Sequence, residues 1–138
     1  MTNIQVSRKF ADGAHRGSSN SMFIDGNIIY SYGYHFPIAR IVNDNTVLFT
    51  NRGYSNTTAK HKSNVLNALM SNNYRIITVN NVTTRNKEEN MKLLETDLTY
   101  LKEKQKRARK TDYSSQIQRA VKNINEYKGV TLWNYLNT

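Results

Sequence analysis

The sequence predicts an α+β fold: a small antiparallel β-sheet of three to five strands, one helix following the strand meander, and a C-terminal basic helical hairpin. Three observations carry this. Short β-branched and aromatic runs punctuated by turn formers occupy residues 22–50, an apolar stripe at helical spacing follows at Val65, Leu66, Leu69 and Met70, and leucines recur at three- and four-residue steps after Met91. The chain has 138 residues, 38% of them apolar and 22% charged, which suits one hydrophobic core. Residues 1–85 read as the sheet with its helix and 86–138 as the hairpin, two parts of one domain.

The first twenty residues read as a loop, because Asp12-Gly13-Ala14-His15-Arg16-Gly17-Ser18-Ser19-Asn20 is a run of turn formers. Asp25-Gly26-Asn27 then separates Met22-Phe23-Ile24 from Ile28-Ile29-Tyr30 as a short hairpin connection. A second turn, Asn43-Asp44-Asn45, divides Pro37-Ile38-Ala39-Arg40-Ile41-Val42 from Thr46-Val47-Leu48-Phe49-Thr50. Thr57 or Thr58 is expected to cap a helix that runs to Met70 and stops at Ser71-Asn72-Asn73. Tyr74-Arg75-Ile76-Ile77-Thr78-Val79, rich in β-branched residues, is a strand that completes the sheet.

Two helical seams close the chain. The first runs through Met91, Leu94, Leu98 and Leu101, started by Thr84 with Glu88 or by Asn86 with Glu89. The second runs through Ile117, Val121, Ile124 and Tyr127, with Gly129 placed to end it. A turn near Lys110-Thr111-Asp112 makes them an antiparallel pair, and Val130, Leu132, Trp133 and Leu136 form a terminal apolar anchor.

Charge narrows the function. Twenty Lys and Arg against ten Asp and Glu give a net charge of +10, so the expected partner is acidic. Seven of the ten acids follow position 86, which makes only the second part densely charged. The absence of cysteine removes disulfides and thiolate metal sites, and no run approaches the roughly 20 apolar residues of a membrane helix. The N-terminal residues lack the pattern of a secretory signal, which points to an intracellular protein.

Three segments are candidates for function. If residues 28–36 are extended, Ile28, Tyr30, Tyr32, Tyr34 and Phe36 share one face. That ladder is either a stacking platform for unpaired bases, with Tyr30, Tyr32 and Tyr34 outward, or core beneath the helices. Gly33 marks a bulge or close approach on the other face, and Pro37 a break that leaves His35 at a bend. The second segment, Tyr54-Ser55-Asn56-Thr57-Thr58-Ala59-Lys60-His61-Lys62, sets hydroxyls and cations at a helix start, where phosphate binds or where the threonines merely cap. The third, residues 102–110, holds six cations against one acid, more than a helix C-terminus needs.

Enzyme classes find little support. His15, His35, His61, Tyr54 and Ser55 are the acid–base candidates, and a metal-independent phosphodiesterase is the reaction they would serve. No metal site or cofactor is expected, because Asp12, Asp25 and Asp44 are the only carboxylates of the first part. Phosphate-binding glycine loops, HExxH and GxSxG patterns are absent.

Tyr30-Ser31-Tyr32-Gly33 with His35-Phe36-Pro37-Ile38-Ala39, then Tyr54-Ser55 with Thr57-Thr58 and Lys60-His61, resembles a family of small, uncharacterised, mostly phage-encoded domains. The family pattern is YSYGxHFPIA followed by YSxTTxxH; Asn20-Ser21-Met22 matches its upstream part. The resemblance spans residues 20–70, leaves the C-terminal helices outside, and implies no known activity. It implies a phage or mobile-element source, the host cytoplasm, and a role in host takeover or defence evasion. The expected function is therefore that of a small phage-encoded accessory protein binding nucleic acid, DNA or RNA, or a host nucleoprotein complex. Arg40, Arg52, Lys60, His61, Lys62, Lys102, Lys104, Lys106, Arg107, Arg109 and Lys110 are the expected contacts. The alternative is an anti-CRISPR-like inhibitor docking on a host defence nuclease.

Overall fold

Thr2 and Gln5 open the chain with a reciprocal cap. The Gln5 N–H donates to the Thr2 hydroxyl at 3.1 Å and the Thr2 N–H to Gln5 Oε1 at 2.9 Å. The computed structural model describes residues 1–53, 55–84 and 87–130, and in it this cap starts helix α1 (Asn3–Ala11). The first twenty residues are thus not a loop. Val6, Phe10 and Ala11 give α1 a buried stripe, and Arg16–Ser18 forms the edge strand β1; the turn formers occupy only the short connections around them.

Strands β2 (Met22–Asp25), β3 (Ile28–Ser31), β4 (Pro37–Asn43) and β5 (Thr46–Thr50) continue the meander. Gly26 sits at φ +67° in the β2–β3 connection, a left-handed conformation that glycine adopts without a Cβ clash. Helix α2 (Asn56–Ser71) and strand β6 (Arg75–Val79) follow. All six strands lie in sequence order in one sheet, antiparallel except that β6 runs parallel to β5. The expected antiparallel sheet of three to five strands is therefore a mixed sheet of six. The reason is α2: a crossover helix carries the chain back to the end at which β5 began, so the next strand must run the same way.

The expected ladder of Ile28, Tyr30, Tyr32, Tyr34 and Phe36 is broken. β3 ends at Ser31, Tyr32 takes φ +63°, and the chain turns through residues 32–35. Backbone bonds close this turn, from Ser31 N–H to Phe36 O at 3.0 Å and from Phe36 N–H to Gly33 O at 3.1 Å. Tyr30 and Phe36 are consequently buried, whereas Tyr32 and Tyr34 are 60% and 66% exposed. Pro37 opens β4 as its first residue, a position a proline tolerates in a sheet.

Helix α2 begins two or three residues earlier than the threonines suggest. Ser55 is its N-cap, accepting the Thr58 N–H at 3.1 Å. Of its apolar stripe, Val65 and Leu69 are buried, Leu66 is half-buried and Met70 is exposed; Thr58, His61 and Ala68 complete the buried face.

Two cores lie on the two faces of the sheet. Val47 and Phe49 of β5 join α1 and α2 in one, while Leu48 between them joins Ile77, Val79, Leu94, Ile124 and Tyr127 in the other. The second core is covered by helices α3 (Lys87–Arg107) and α4 (Ser114–Lys128), which pack on each other as an antiparallel pair. Gly129 ends α4 as expected, and Val130 is buried; Asn86, Leu132, Trp133 and Leu136 lie outside the described residues. Asn123 of α4 shields the outer edge of β6, its amide accepting the Thr78 N–H at 2.7 Å and donating to Thr78 O at 2.6 Å. No helix among the described residues is long and apolar enough to cross a membrane.

Candidate nucleic-acid interface

The hairpin is anchored at one end and free at the other. Near the start of α3, the buried Asn90 accepts the Asn81 N–H at 2.9 Å, donates to Asn81 O at 2.7 Å and reaches the Tyr127 hydroxyl at 3.0 Å. Lys87 spans the same junction: its ammonium donates to Lys128 O at 2.7 Å and to Val130 O, and lies 5.2 Å from the Tyr127 ring centre. Burial among these groups lowers its pKa below the usual lysine value. Past Leu94, no residue is buried until Ile124. The intervening ends of α3 and α4 form an arm held mainly by contact with each other.

Cations crowd the tip of that arm. Lys102, Lys106, Arg107, Arg109 and Lys110 are exposed and Lys104 is half-buried. Glu103, the acid of this segment, lies 3.9 Å from Lys106 and 4.0 Å from Arg107, in exposed pairs that contribute little. The turn is fixed by polar side chains. Gln105 Oε1 accepts the Tyr113 N–H at 2.6 Å, and Asp112 accepts the Ser114 N–H at 2.9 Å together with its hydroxyl. Those two bonds from Ser114 hold the Asp112 pKa below the ordinary carboxylate value. Lys104 Nζ sits 5.0 Å from the Tyr100 ring centre and 5.2 Å from that of Tyr113.

A second, sparser basic group lies elsewhere. Lys62 donates to Arg52 O at 2.8 Å and stands 5.7 Å from the Phe49 ring centre, while the Arg52 guanidinium lies 5.8 Å from that of Phe36. Burial of the Lys62 ammonium lowers its pKa below the usual lysine value. Lys60 is exposed on the same helix. This group belongs to the α2 face and to the end of the sheet where Asn51 N–H bonds Val79 O. The arm covers the other face and passes Arg75 at the opposite end of β6, where Arg75, Asp97 and Arg119 line one groove. The two basic groups therefore form two surfaces.

Two expected contacts are placed inside. Arg40 is 8% exposed on β4, and His61 is 2% exposed under α2, so neither is presented for surface contact with phosphate. His61 Nδ1 lies 2.7 Å from the Ser31 hydroxyl and Nε2 3.2 Å from that of Ser21. Ser21 in turn donates to Asn3 Oδ1 at 3.2 Å. With the Ser21 proton committed to Asn3, its oxygen accepts from Nε2–H, which leaves Nδ1 to accept from Ser31. The Tyr32 ring tilts against the imidazole at 5.3 Å, and burial lowers the His61 pKa. Position 61 was visible in the sequence, and Ser31 and Ser21 lay within the family pattern, but their pairing with His61 was not legible because Ser31, Ser21 and Asn3 lie 30 to 58 positions away.

The other motif residues scatter. Tyr30 stacks on Phe23 with ring centres 5.0 Å apart, and Tyr34 meets both rings edge-on. The Tyr34 hydroxyl donates to Asp25 at 2.7 Å, which raises the phenol pKa. His35 is exposed in the turn after β3, with its ring where a Gly33 Cβ would fall, 2.8 Å away. His15 approaches Gly26 O at 3.1 Å, so the three histidines make separate contacts. Ser55 caps α2 through the Thr58 N–H, Thr57 is exposed, and Tyr54 lies outside the described residues. Among the described residues, no three His, Asp or Glu side chains gather as metal ligands would.

No curated protein and no solved structure matches the chain. Residues 4–89 match a family of unknown function, DUF8033, from α1 through the sheet and α2 into the first turn of α3. Nearly all of the arm lies beyond that match. Because it covers more than half of the sequence, the chain belongs to the DUF8033 family of unknown function.

Proposed function

We propose that this protein binds nucleic acid, or a nucleoprotein complex, through the basic tip of the α3–α4 arm. One observation carries the proposal: six cations occupy nine residues at the end of a helix pair that buries nothing there. Side chains repelling one another on an exposed tip cost stability rather than add it, and phosphate oxygens are the complementary ligand. Lys102, Lys106, Arg107, Arg109 and Lys110 are the contacts, with Arg52, Lys60 and Lys62 a separate site for a longer strand. Such a protein acts as an accessory factor in the cytoplasm of a phage-infected host, following the resemblance of residues 20–70.

The test is binding of labelled DNA and RNA by fluorescence anisotropy across a salt series, for the wild type and a variant carrying Lys106→Gln, Arg107→Gln, Arg109→Gln and Lys110→Gln. Wild-type affinity should fall steeply with salt. The variant's slope of log K against log salt should be shallower by roughly 0.7–0.9 for each phosphate that the tip no longer neutralises. Equal slopes for the two proteins reject the tip as the binding surface.

A second reading, docking on a host nuclease complex as an inhibitor, is favoured by Leu93 and Val121, apolar side chains exposed on the hairpin. A stoichiometric protein that survives nuclease digestion in a pull-down from host lysate supports that reading; loss of every partner supports the first.

A further inference from the structure

We infer that the arm binds single-stranded nucleic acid, stacking an unpaired base on Tyr100. The inference rests on the proposed function and names the form of its ligand. Tyr100 is 60% exposed on a charged helix and packs into neither core. Exposure of one ring is ordinary on a protein surface; its cationic surroundings set Tyr100 apart.

The surroundings of the ring are those of a stacking site. Lys104, one turn along α3, places its ammonium 5.0 Å from the Tyr100 ring centre and 5.2 Å from that of Tyr113 across the turn. A cation between two aromatic rings is attracted to the negative faces of both, which holds Tyr100 in place before any ligand arrives. Arg107 continues the same helical stripe about 10 Å from Tyr100 along the axis. A base on the ring therefore has cations along the path its backbone takes.

Duplexes do not use such a surface, because their bases are already stacked on one another and offer only edges and phosphates. Single strands offer base faces, and an aromatic ring beside a cationic track takes them without regard to sequence. Tyr32 and Tyr34 are equally exposed but differently placed. Tyr34 is tied to the Asp25 carboxylate, which repels phosphate, and Tyr32 lies against the His61 imidazole, whose pKa burial lowers.

The test compares oligothymidylate, oligouridylate and a mixed-sequence DNA duplex of equal length by anisotropy, using the full chain. Wild type should prefer either single strand to the duplex; a preference between the first two assigns DNA or RNA. Tyr100→Ala should weaken single-strand binding roughly five- to hundredfold, while leaving the duplex affinity and the salt slope unchanged. Tyr100→Trp should keep the affinity, with indole fluorescence quenched by single strands and not by the duplex. Duplex binding as tight as single-strand binding, or a Tyr100→Ala protein that binds single strands as wild type does, overturns stacking. In either case the four-cation variant still reports on the proposed function: a shallower salt slope keeps it, and an unchanged slope, or no binding to any strand, removes both.

Discussion

His61 shows how one residue acquires a role that its neighbours in sequence do not announce. Flanked by Lys60 and Lys62, it looks like part of a cationic turn, yet it points into the protein and links α2 to β3 and to α1 through Ser31, Ser21 and Asn3. Because burial lowers its folded pKa below 6.5, the unfolded chain takes up a proton that the folded protein resists. The stability this contributes is complete above pH 6.5 and is lost as pH falls below it. Urea denaturation of wild type should therefore show a midpoint that drops between pH 7 and pH 5 by more than that of His61→Gln. At neutral pH, His61→Leu leaves two serine hydroxyls without their ring partner and should cost about 1–3 kcal/mol. Asn73, at φ +60° just after α2, sits where glycine fits better. Asn73→Gly should raise stability by up to about 1 kcal/mol in the same assay.

The helical hairpin is an element with two ends of different character. Asn90, Lys87 and Tyr127 fasten its base, and each bonds or packs with a partner distant in sequence. Asn90→Leu removes three polar contacts from a fully buried site; a loss of about 1–3 kcal/mol per unsatisfied group is expected by thermal or urea unfolding. Asn123 serves the neighbouring strand by occupying the bonds an added β-strand would make. Asn123→Ala should accordingly increase self-association, read by light scattering during concentration. The seams of both helices were legible from spacing. How deeply each seam residue is buried was not: Leu98 is only half-buried against the second core, Ile117 is half-buried and Val121 exposed, although they share the pattern of the buried Leu94 and Ile124.

Across the full chain, most of the net charge of +10 comes from two surfaces. One is the arm tip; the other is the Arg52, Lys60 and Lys62 group over the opposite face and end of the sheet. Neutralising Lys106, Arg107, Arg109 and Lys110 relieves repulsion at an exposed tip and should leave the melting temperature equal or slightly raised at low salt, even as binding weakens. A fall in melting temperature would mean that the tip supports the fold. The DUF8033 match takes in the sheet with α1 and α2 and ends in the first turn of α3, so nearly all of the arm lies beyond it.

The α+β class, strands β2 to β6, helix α2, the hairpin and the density of charge at residues 102–110 were all legible in the amino-acid order. These follow from local periodicity, turn chemistry and composition, which need no knowledge of what lies across the fold. The α1 cap was readable in Thr2 and Gln5 but was hidden by the turn formers beside it. It took the folded arrangement to establish that β6 runs parallel to β5, that Tyr30 is buried while Tyr32 and Tyr34 are exposed, that His61 is buried between serines, and that Tyr100 and Tyr113 hold Lys104 between them. Each depends on contacts between segments far apart in sequence or on a local turn that overrides alternation, and a pattern read along the chain contains neither.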